Sequence, residues 1–183
     1  MNSKTTYSEQ ELVALLQQRN EKAFGYLYEN YSGALYGIVN SIVTDKEIAN
    51  DVLQNVFIRV WKGLENFRED SQLYTWLYRI ATNECLTYLE QQKKRSSVSL
   101  SDVESGLSNK IKADKHFDPN RLEWKLQLAM QQLPEKQRVV FSLRYYEEMP
   151  YEEMSRVLET SEGALKASYH HAVKKIEDYI LNH

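Results

Sequence analysis

The chain has 183 residues, 42% apolar and 27% charged, with only six Gly and three Pro and a mean hydropathy of −0.61; this describes a soluble, helix-leaning globular protein and excludes fibrous, collagen-like and disordered classes. At roughly 100 to 200 residues per domain the length allows one domain or two small ones, so any core is expected to be modest and split. The 23 Lys and Arg stand against 26 Asp and Glu, a net charge of −3 with an isoelectric point near 5.9, which excludes a protein that holds nucleic acid by bulk charge alone.

Cys85 is the single cysteine, so neither an intrachain disulfide nor an all-thiolate metal site can form, as suits a reducing cytosol. The N-terminus carries Glu9 and Glu11 instead of a basic stretch followed by an apolar run. No window approaches ~20 uninterrupted apolar residues. A cytoplasmic location with no stable membrane insertion is expected.

In chain order, Ser8-Glu9-Gln10-Glu11 reads as a capping box that opens a helix with Leu12, Leu15 and Leu16 on one face. A longer periodic stretch runs from about Ala23 to Val43, with Phe24, Leu27, Tyr28, Tyr31, Leu35 and Ile38 at helical spacing. Thr44-Asp45-Lys46-Glu47 reads as a second capping box, before a helix whose apolar stripe is Val52, Val56, Phe57, Val60, Trp61 and Leu64. The periodicity lapses between Gly63 and Thr75 into a polar loop with Phe67 in its middle. Helix resumes from Thr75 to about Lys94, with Trp76, Ile80 and Leu89 among its apolar positions.

Residues 96–120 hold six serines, one glycine, one proline and few large apolar residues, the composition of a flexible linker. A second helical block follows from about Arg121, with Leu122, Leu126, Ala129 and Leu133 as its first stripe. Pro134 is placed in the first turn of the next helix, where its missing amide costs nothing. Val140, Phe141 and Leu143 supply that helix's buried side. Pro150 opens a segment from Tyr151 to Leu158, and a last helix runs from Glu162 to about Leu181. The expected fold is therefore all-α, as two small helical domains (1–95 and 121–183) joined by the linker.

The last two helices, separated by about three residues, form a helix-turn-helix candidate in which Met154, Val157 and Leu158 face Leu165, Ala172 and Ile176. Between Leu165 and Lys175 lie three lysines, two histidines and no acid. Lys166, His170 and Lys174 stack at i, i+4 and i+8 behind the N-cap Ser161. A solvated helical hairpin that binds nothing would show the same stripe.

Farther upstream, Asp51, Gln54, Asn55, Ile58 and Arg59 occupy the outer side of a helix whose apolar face is already continuous. An isoleucine among polar groups marks either a partner surface or a contact with another helix of the same domain. Trp61, Phe67, Tyr74, Trp76, Tyr78 and Tyr88 lie among Arg68, Arg79 and 93–95, where aromatics can stack on unpaired bases while cations track phosphates. Trp61 and Trp76 also sit at core spacing. No phosphate-cradling glycine loop, HExxH or CxxC occurs, and the adjacent His170 and His171 point about 100° apart on a helix. No catalytic residue, metal site or cofactor is expected, and the chain is not read as an enzyme.

Asp51-Val-Leu-Gln-Asn-Val-Phe-Ile-Arg-Val-Trp61, Phe67, Thr75-Trp-Leu-Tyr-Arg-Ile-Ala81 and Asn83 together resemble region 2 of bacterial extracytoplasmic-function (ECF) sigma factors, of the sigma-70 family. Leu133-Pro134, Tyr151-Glu-Glu-Met154 and the run from Ser161 to Ile176 resemble their region 4. The resemblance implies a subunit that binds core RNA polymerase, directs it to promoters and helps open the DNA, with an anti-sigma factor as a partner left open. It places Asp51, Gln54, Ile58 and Arg59 on the polymerase-binding helix. It places Asn66, Phe67, Ser71, Gln72, Tyr74, Trp76, Arg79 and Asn83 at the −10 element, and Lys166, Ser168, Tyr169, His170 and Lys174 on the −35 recognition helix.

Three departures stand out. Asn55 replaces a frequent acid, Glu159 sits where the inter-helix turn often has glycine, and Ser168 and His171 stand where arginines are common. The turn prefers φ > 0, so Glu159 implies mild strain or another turn geometry. Twenty-five linker residues reach at most ~80 Å at ~3.3 Å each. Two promoter elements about two helical turns apart lie roughly 70 Å from each other, so touching both requires a nearly stretched linker. Two alternatives are a sigma-like decoy or adaptor that binds an anti-sigma factor without DNA, and a stand-alone helix-turn-helix regulator, which would leave 20–95 unexplained.

Overall fold

A computed structural model describes residues 6–67, 72–95 and 121–183. Its α-helices are α1 (Glu9–Gln17), α2 (Glu21–Val43), α3 (Lys46–Gly63), α4 (Leu73–Arg95), α5 (Leu122–Gln131), α6 (Glu135–Tyr145), α7 (Tyr151–Leu158) and α8 (Glu162–Asn182), with one 3-10 turn at Leu64–Asn66. No strand occurs among the described residues.

The caps show why the helices begin where they do. Ser8 accepts the Glu11 amide and donates its own amide to the Glu11 carboxylate at 2.9 Å, so the capping box closes in both directions. That backbone donation, reinforced by the Ser8 hydroxyl, holds the Glu11 carboxyl below the usual carboxylate range. Asn20 caps α2 by accepting from Ala23. The second capping box expected at Thr44 is displaced by one residue. Thr44 is spent on ending α2 in the left-handed conformation, at φ 60°, while Asp45 caps α3 by accepting from Glu47 and Ile48. Pro134 and Pro150 both occupy extended N-cap positions, one residue before the first helical turn where Pro134 was expected.

Helices α1 to α4 surround a core that includes Leu16, Leu27, Leu35, Ile38, Val56 and Val60, all fully enclosed. The buried apolar positions of α4 are Leu73, Leu77, Tyr78, Ala81 and Cys85, whereas the expected Trp76, Ile80 and Leu89 are only partly buried. The reason is position in the bundle: α4 packs on α2 and α3 and also meets α6 and α7, so two of its faces are covered.

The core is not split as the length predicted. Val139, Val140, Leu143, Met149, Met154, Val157 and Leu165 belong to the same apolar cluster as the α1–α4 core. A smaller cluster of Ala129, Met130, Leu133, Phe141, Ala172 and Ile176 ties α5 and α6 to α8. Ala172 and Ile176 thus face α5 and α6 and not Met154 and Val157, because α8 extends well past the short α7. Leu122, expected in the α5 stripe, is 63% exposed.

Polar contacts join the two blocks at their edges. Arg138 on α6, almost fully buried, donates to the Ile42 carbonyl at the end of α2 and to the Gln131 and Leu133 carbonyls, while Gln131 donates to the Thr44 hydroxyl. Tyr78 on α4 donates to Glu147 at 2.6 Å. Arg79 donates to the Arg156 carbonyl at 2.6 Å and pairs with Glu159 at 3.2 Å.

Candidate functional site

Three surfaces carry the expected residues, and α3 supplies the first. Its inner side is consumed by Val52, Val56, Phe57 and Val60, which leaves Asp51, Gln54, Asn55, Ile58 and Arg59 exposed. Ile58 keeps 45% of its surface and forms a ridge between two open grooves. One groove, of about 680 Å³, is lined by Phe24, Tyr28, Asp51, Gln54, Phe57 and Trp61 among others. The other, of about 460 Å³, runs between α3 and α4 past Asn55, Arg59, Glu84 and Tyr88. Arg59 pairs with Glu84 across that second groove. An apolar ridge flanked by charged and amide groups can seat a helical partner with a hydrophobic centre and a polar rim.

Tyr28 and Phe24 are functional candidates absent from the sequence-based set. Tyr28 was placed in the α2 core stripe, yet it is 48% exposed with its ring 4.7 Å from Phe57. Phe24, Leu27, Tyr28 and Tyr31 follow the i, i+3, i+4, i+7 pattern of a single helical face about 100° wide, so their spacing gives no sign that Tyr28, at one edge of that face, is exposed.

The second surface is the α3–α4 connection and the start of α4. Asn66 and Gln72 are exposed; Ser71, with Arg68, lies outside the described residues. Phe67 is 5% exposed, its ring 4.8 Å from Trp76, so it anchors the connection to the core. Burying such a side chain stabilises by roughly 1.5–3 kcal/mol. Trp76 lies partly buried against Gly63, where a Cβ would stand 3.0 Å from the indole, so a larger residue at this helix end would oblige the ring to shift by a few tenths of an ångström. Tyr74 is half-buried, its ring 4.4 Å from Tyr78, and burial raises the pKa of both phenols so that they stay neutral. Arg79 is engaged by the second block, and Asn83 faces solvent one turn farther along α4.

The third surface is α8. Ser161 accepts from Ala164, and Lys166, His170 and Lys174 are exposed in a row. Lys166 pairs with Glu162 at 3.3 Å and lies 5.5 Å above the Tyr151 ring. Ser168 is half-buried. Tyr169 turns inward: its ring stacks 5.8 Å from Phe141 and meets Tyr151 edge-on, and burial raises its phenol pKa. The preceding turn places Glu159 in the left-handed region at φ 51°, ψ 41°, so the strain implied by a non-glycine residue there is present.

Among the described residues no group of three or more His, Cys, Asp or Glu side chains gathers closely enough to hold a metal ion, and no helix is long and apolar enough to cross a membrane. The Cys85 thiol is pushed up to about 12 by burial, with a smaller contribution from Glu84.

Comparison with known proteins converges on one family. Sigma-70 region 2 matches residues 27–95, and sigma-70 region 4 matches residues 123–176. The RNA polymerase sigma-H factor of Pseudomonas aeruginosa is 31% identical over 181 residues, 94% of each chain. The ECF RNA polymerase sigma-E factor of Escherichia coli K12 is 29% identical over 185 residues, again 94% of each chain. CnrH, solved in complex with the cytosolic domain of CnrY, shares the fold at a TM-score of 0.66 and 23% identity, with 93% of this chain and 95% of that one covered. RpoE of Bartonella quintana, solved with the anti-sigma factor NepR, shares it at 0.63 and 19% identity, over 87% and 97%. With both regions matched in order and the relatives aligned along nearly their whole length, the chain belongs to the extracytoplasmic-function sigma factors of the sigma-70 family.

Proposed function

We propose that this sigma factor divides its work among the three surfaces: the outer face of α3 with Tyr28 grips core RNA polymerase, the α3–α4 connection with Trp76, Arg79 and Asn83 holds the −10 element, and the exposed row on α8 reads the −35 element. Directing core polymerase to promoters is the work of the family, and it is not catalysis by this chain. The observation that carries the division is Ile58, a large apolar side chain standing in solvent between two grooves while the core beneath it is complete without it.

Phe67 and Tyr169 act in this scheme from inside. Phe67 supports Trp76, and Tyr169 fixes the roll of α8 so that Lys166, His170 and Lys174 stay outward. Base stacking on an aromatic returns about 1–3 kcal/mol per captured base, against about 1.4 kcal/mol lost per broken base-pair step, so holding a few flipped bases keeps a short bubble open without ATP. Residues 121–183 carry nine Lys and Arg against ten Asp and Glu, so α8 attracts DNA only locally. Tethering to polymerase supplies the remaining affinity as effective concentration. The site of action is the cytoplasm, and an anti-sigma factor belongs to the partner set on the strength of the likeness to RpoE solved with NepR.

The test is reconstitution of the purified chain with core polymerase and mapping of transcription starts. The expected result is initiation at discrete promoters. An Arg79→Ala, Asn83→Ala chain is expected to bind polymerase normally, to lose transcription from linear promoters, and to regain much of it on a template pre-melted across the −10 element. Polymerase binding by the unmodified chain with no specific initiation would favour the decoy instead.

A further inference from the structure

We propose that α1 and the turn after it form a brace for the α3–α4 connection, with Glu9, Gln17 and Arg19 as positioning residues for the segment assigned to the −10 element. Their role at DNA rests on that assignment; the brace itself does not.

A connection between two helices begins and ends on backbone groups that the helices cannot satisfy, the last carbonyls of one and the first amides of the next. Here both ends are met from one direction. Arg19 donates to the Trp61 carbonyl near the end of α3 and pairs with Glu65 of the 3-10 turn at 2.6 Å. Gln17 donates to the carbonyl of Phe67, the residue that ends this turn, at 3.1 Å. On the far side, Glu9 accepts the amide of Leu73, the first residue of α4, at 2.9 Å. Its carboxylate thus stands at the positive end of α4, where a negative charge is favoured. The four ties span 42, 46, 50 and 64 positions of sequence, so they are tertiary contacts and not local turns.

Apolar packing sets the brace in place. Leu12, Val13 and Leu16 of α1 are buried in the same cluster as Leu64, Phe67 and Leu73 of the connection. Glu9 and Gln17 are exposed and add nothing to that core, and Arg19 is partly exposed.

Arg19 carries the clearest sign. It follows α1 in the left-handed conformation at φ 59°, which glycine adopts freely and arginine only under strain. A turn that only had to end α1 would be served better by glycine. The arginine adds a fork that reaches the Trp61 carbonyl and the Glu65 carboxylate together, and it lies 5.1 Å from the centre of the Trp61 ring.

Bracing matters for a segment that must receive flipped bases. A connection held at both ends has less freedom to lose when single-stranded DNA settles on it, so capture is faster and wrong bases are rejected more sharply. Asn66 and Gln72, exposed beside the tied Phe67 and Leu73, depend on it most directly.

The first measurement is amide hydrogen exchange in the full chain by NMR. The Phe67 amide in an Arg19→Gly, Gln17→Ala chain and the Leu73 amide in a Glu9→Ala chain are expected to exchange about tenfold faster than in the unmodified chain, the scale of one hydrogen bond to a charged group. Glu9→Gln, whose amide oxygen still accepts, should keep Leu73 slow. Unchanged exchange at both amides would overturn the brace. The second measurement is promoter opening by the reconstituted holoenzyme, followed by permanganate reactivity of thymines in the −10 element. The chain with Glu9→Ala, Gln17→Ala and Arg19→Gly is expected to bind core polymerase normally, to open linear promoters about tenfold more slowly, and to recover on a pre-melted template. It should also discriminate less between the −10 element and its single-base variants, while Glu9→Gln opens normally. A loss that persists on the pre-melted template, a loss matched by weaker polymerase binding, or normal opening despite faster exchange would each overturn the positioning role. An unmodified chain that opens no promoter would count against the −10 assignment, and the exchange rates would still decide the brace.

Discussion

The two helical blocks satisfy their apolar faces in different ways. Helices α1 to α4 close around side chains drawn mainly from themselves, from Leu12 on α1 to Cys85 on α4. The second block has a private cluster of only six buried residues, and its other apolar side chains, Val139, Val140, Leu143, Met154 and Val157, merge with the core of the first. The first block is a platform and the second leans on it. A small domain buries a low fraction of its surface, so borrowing a neighbour's core is an effective way for some sixty residues to keep a defined shape.

The largest effect that tests this contrast concerns Cys85, which lies in the platform's interior at 0% exposure. With its thiol at about 12, thiolate at pH 8 is about one part in 10⁴, against about one in four for a free cysteine. Alkylation of the native chain is therefore expected to run at least a thousandfold slower than in denaturant, as read by mass spectrometry; fast native labelling would show that the platform opens readily. The sign for stability follows from the same shift. The raised folded value contributes stability that is complete below the unfolded thiol's pKa of about 8.5 and is lost as pH rises from there through about 12.

Next in size is Leu143→Ala. Leu143 is fully buried at the junction, so its truncation is expected to cost about 2–5 kcal/mol in urea unfolding. If the second block leans on the first, the loss appears as early release of 121–183 while the α1–α4 core holds. A loss spread evenly over both blocks would mean one cooperative unit and erase the contrast.

Ile58→Asp is expected to have the smallest effect of the three and to act on the platform's exterior alone. No residue of the second block lines either groove beside Ile58. Affinity for core polymerase should fall by about 30-fold or more, the size of a 2 kcal/mol hot spot, with the midpoint of unfolding unchanged. An unaltered affinity in co-purification would move the polymerase contact elsewhere.

The helices themselves were legible because caps and periodicity are local. Ser8 with Glu11 announced α1, and Ser161 announced α8. The outer face of α3 was legible for a different reason: once Val52, Val56 and Val60 were assigned inward, Gln54, Ile58 and Arg59 had only one side left. On α4 this logic failed. Its apolar residues occur on almost every side, and only the neighbours in space decide that Tyr78 is enclosed and Trp76 is not.

Aromatics with polar tips were the other blind spot, since Tyr28 and Tyr169 fit an interior or a surface equally well by spacing. The closure of the blocks was not legible at all. Tyr78 meets Glu147 across 69 positions, and Arg79 meets Arg156 across 77. Nothing in the polar stretch between the blocks announces that they meet.

The cover that Arg138 places on the end of α2 has a consequence in time. Its guanidinium donates to the Ile42 carbonyl from 96 positions downstream. A ribosome adds roughly 5–20 residues per second, so that end of α2 is made about 5–20 s before the group that finishes it. During this interval the nascent first block exists with its last α2 carbonyls turned to water and its α3 surface formed. Shutting the molecule is then the closing act of its synthesis, and every newly made chain passes through the open form before it reaches the shut one.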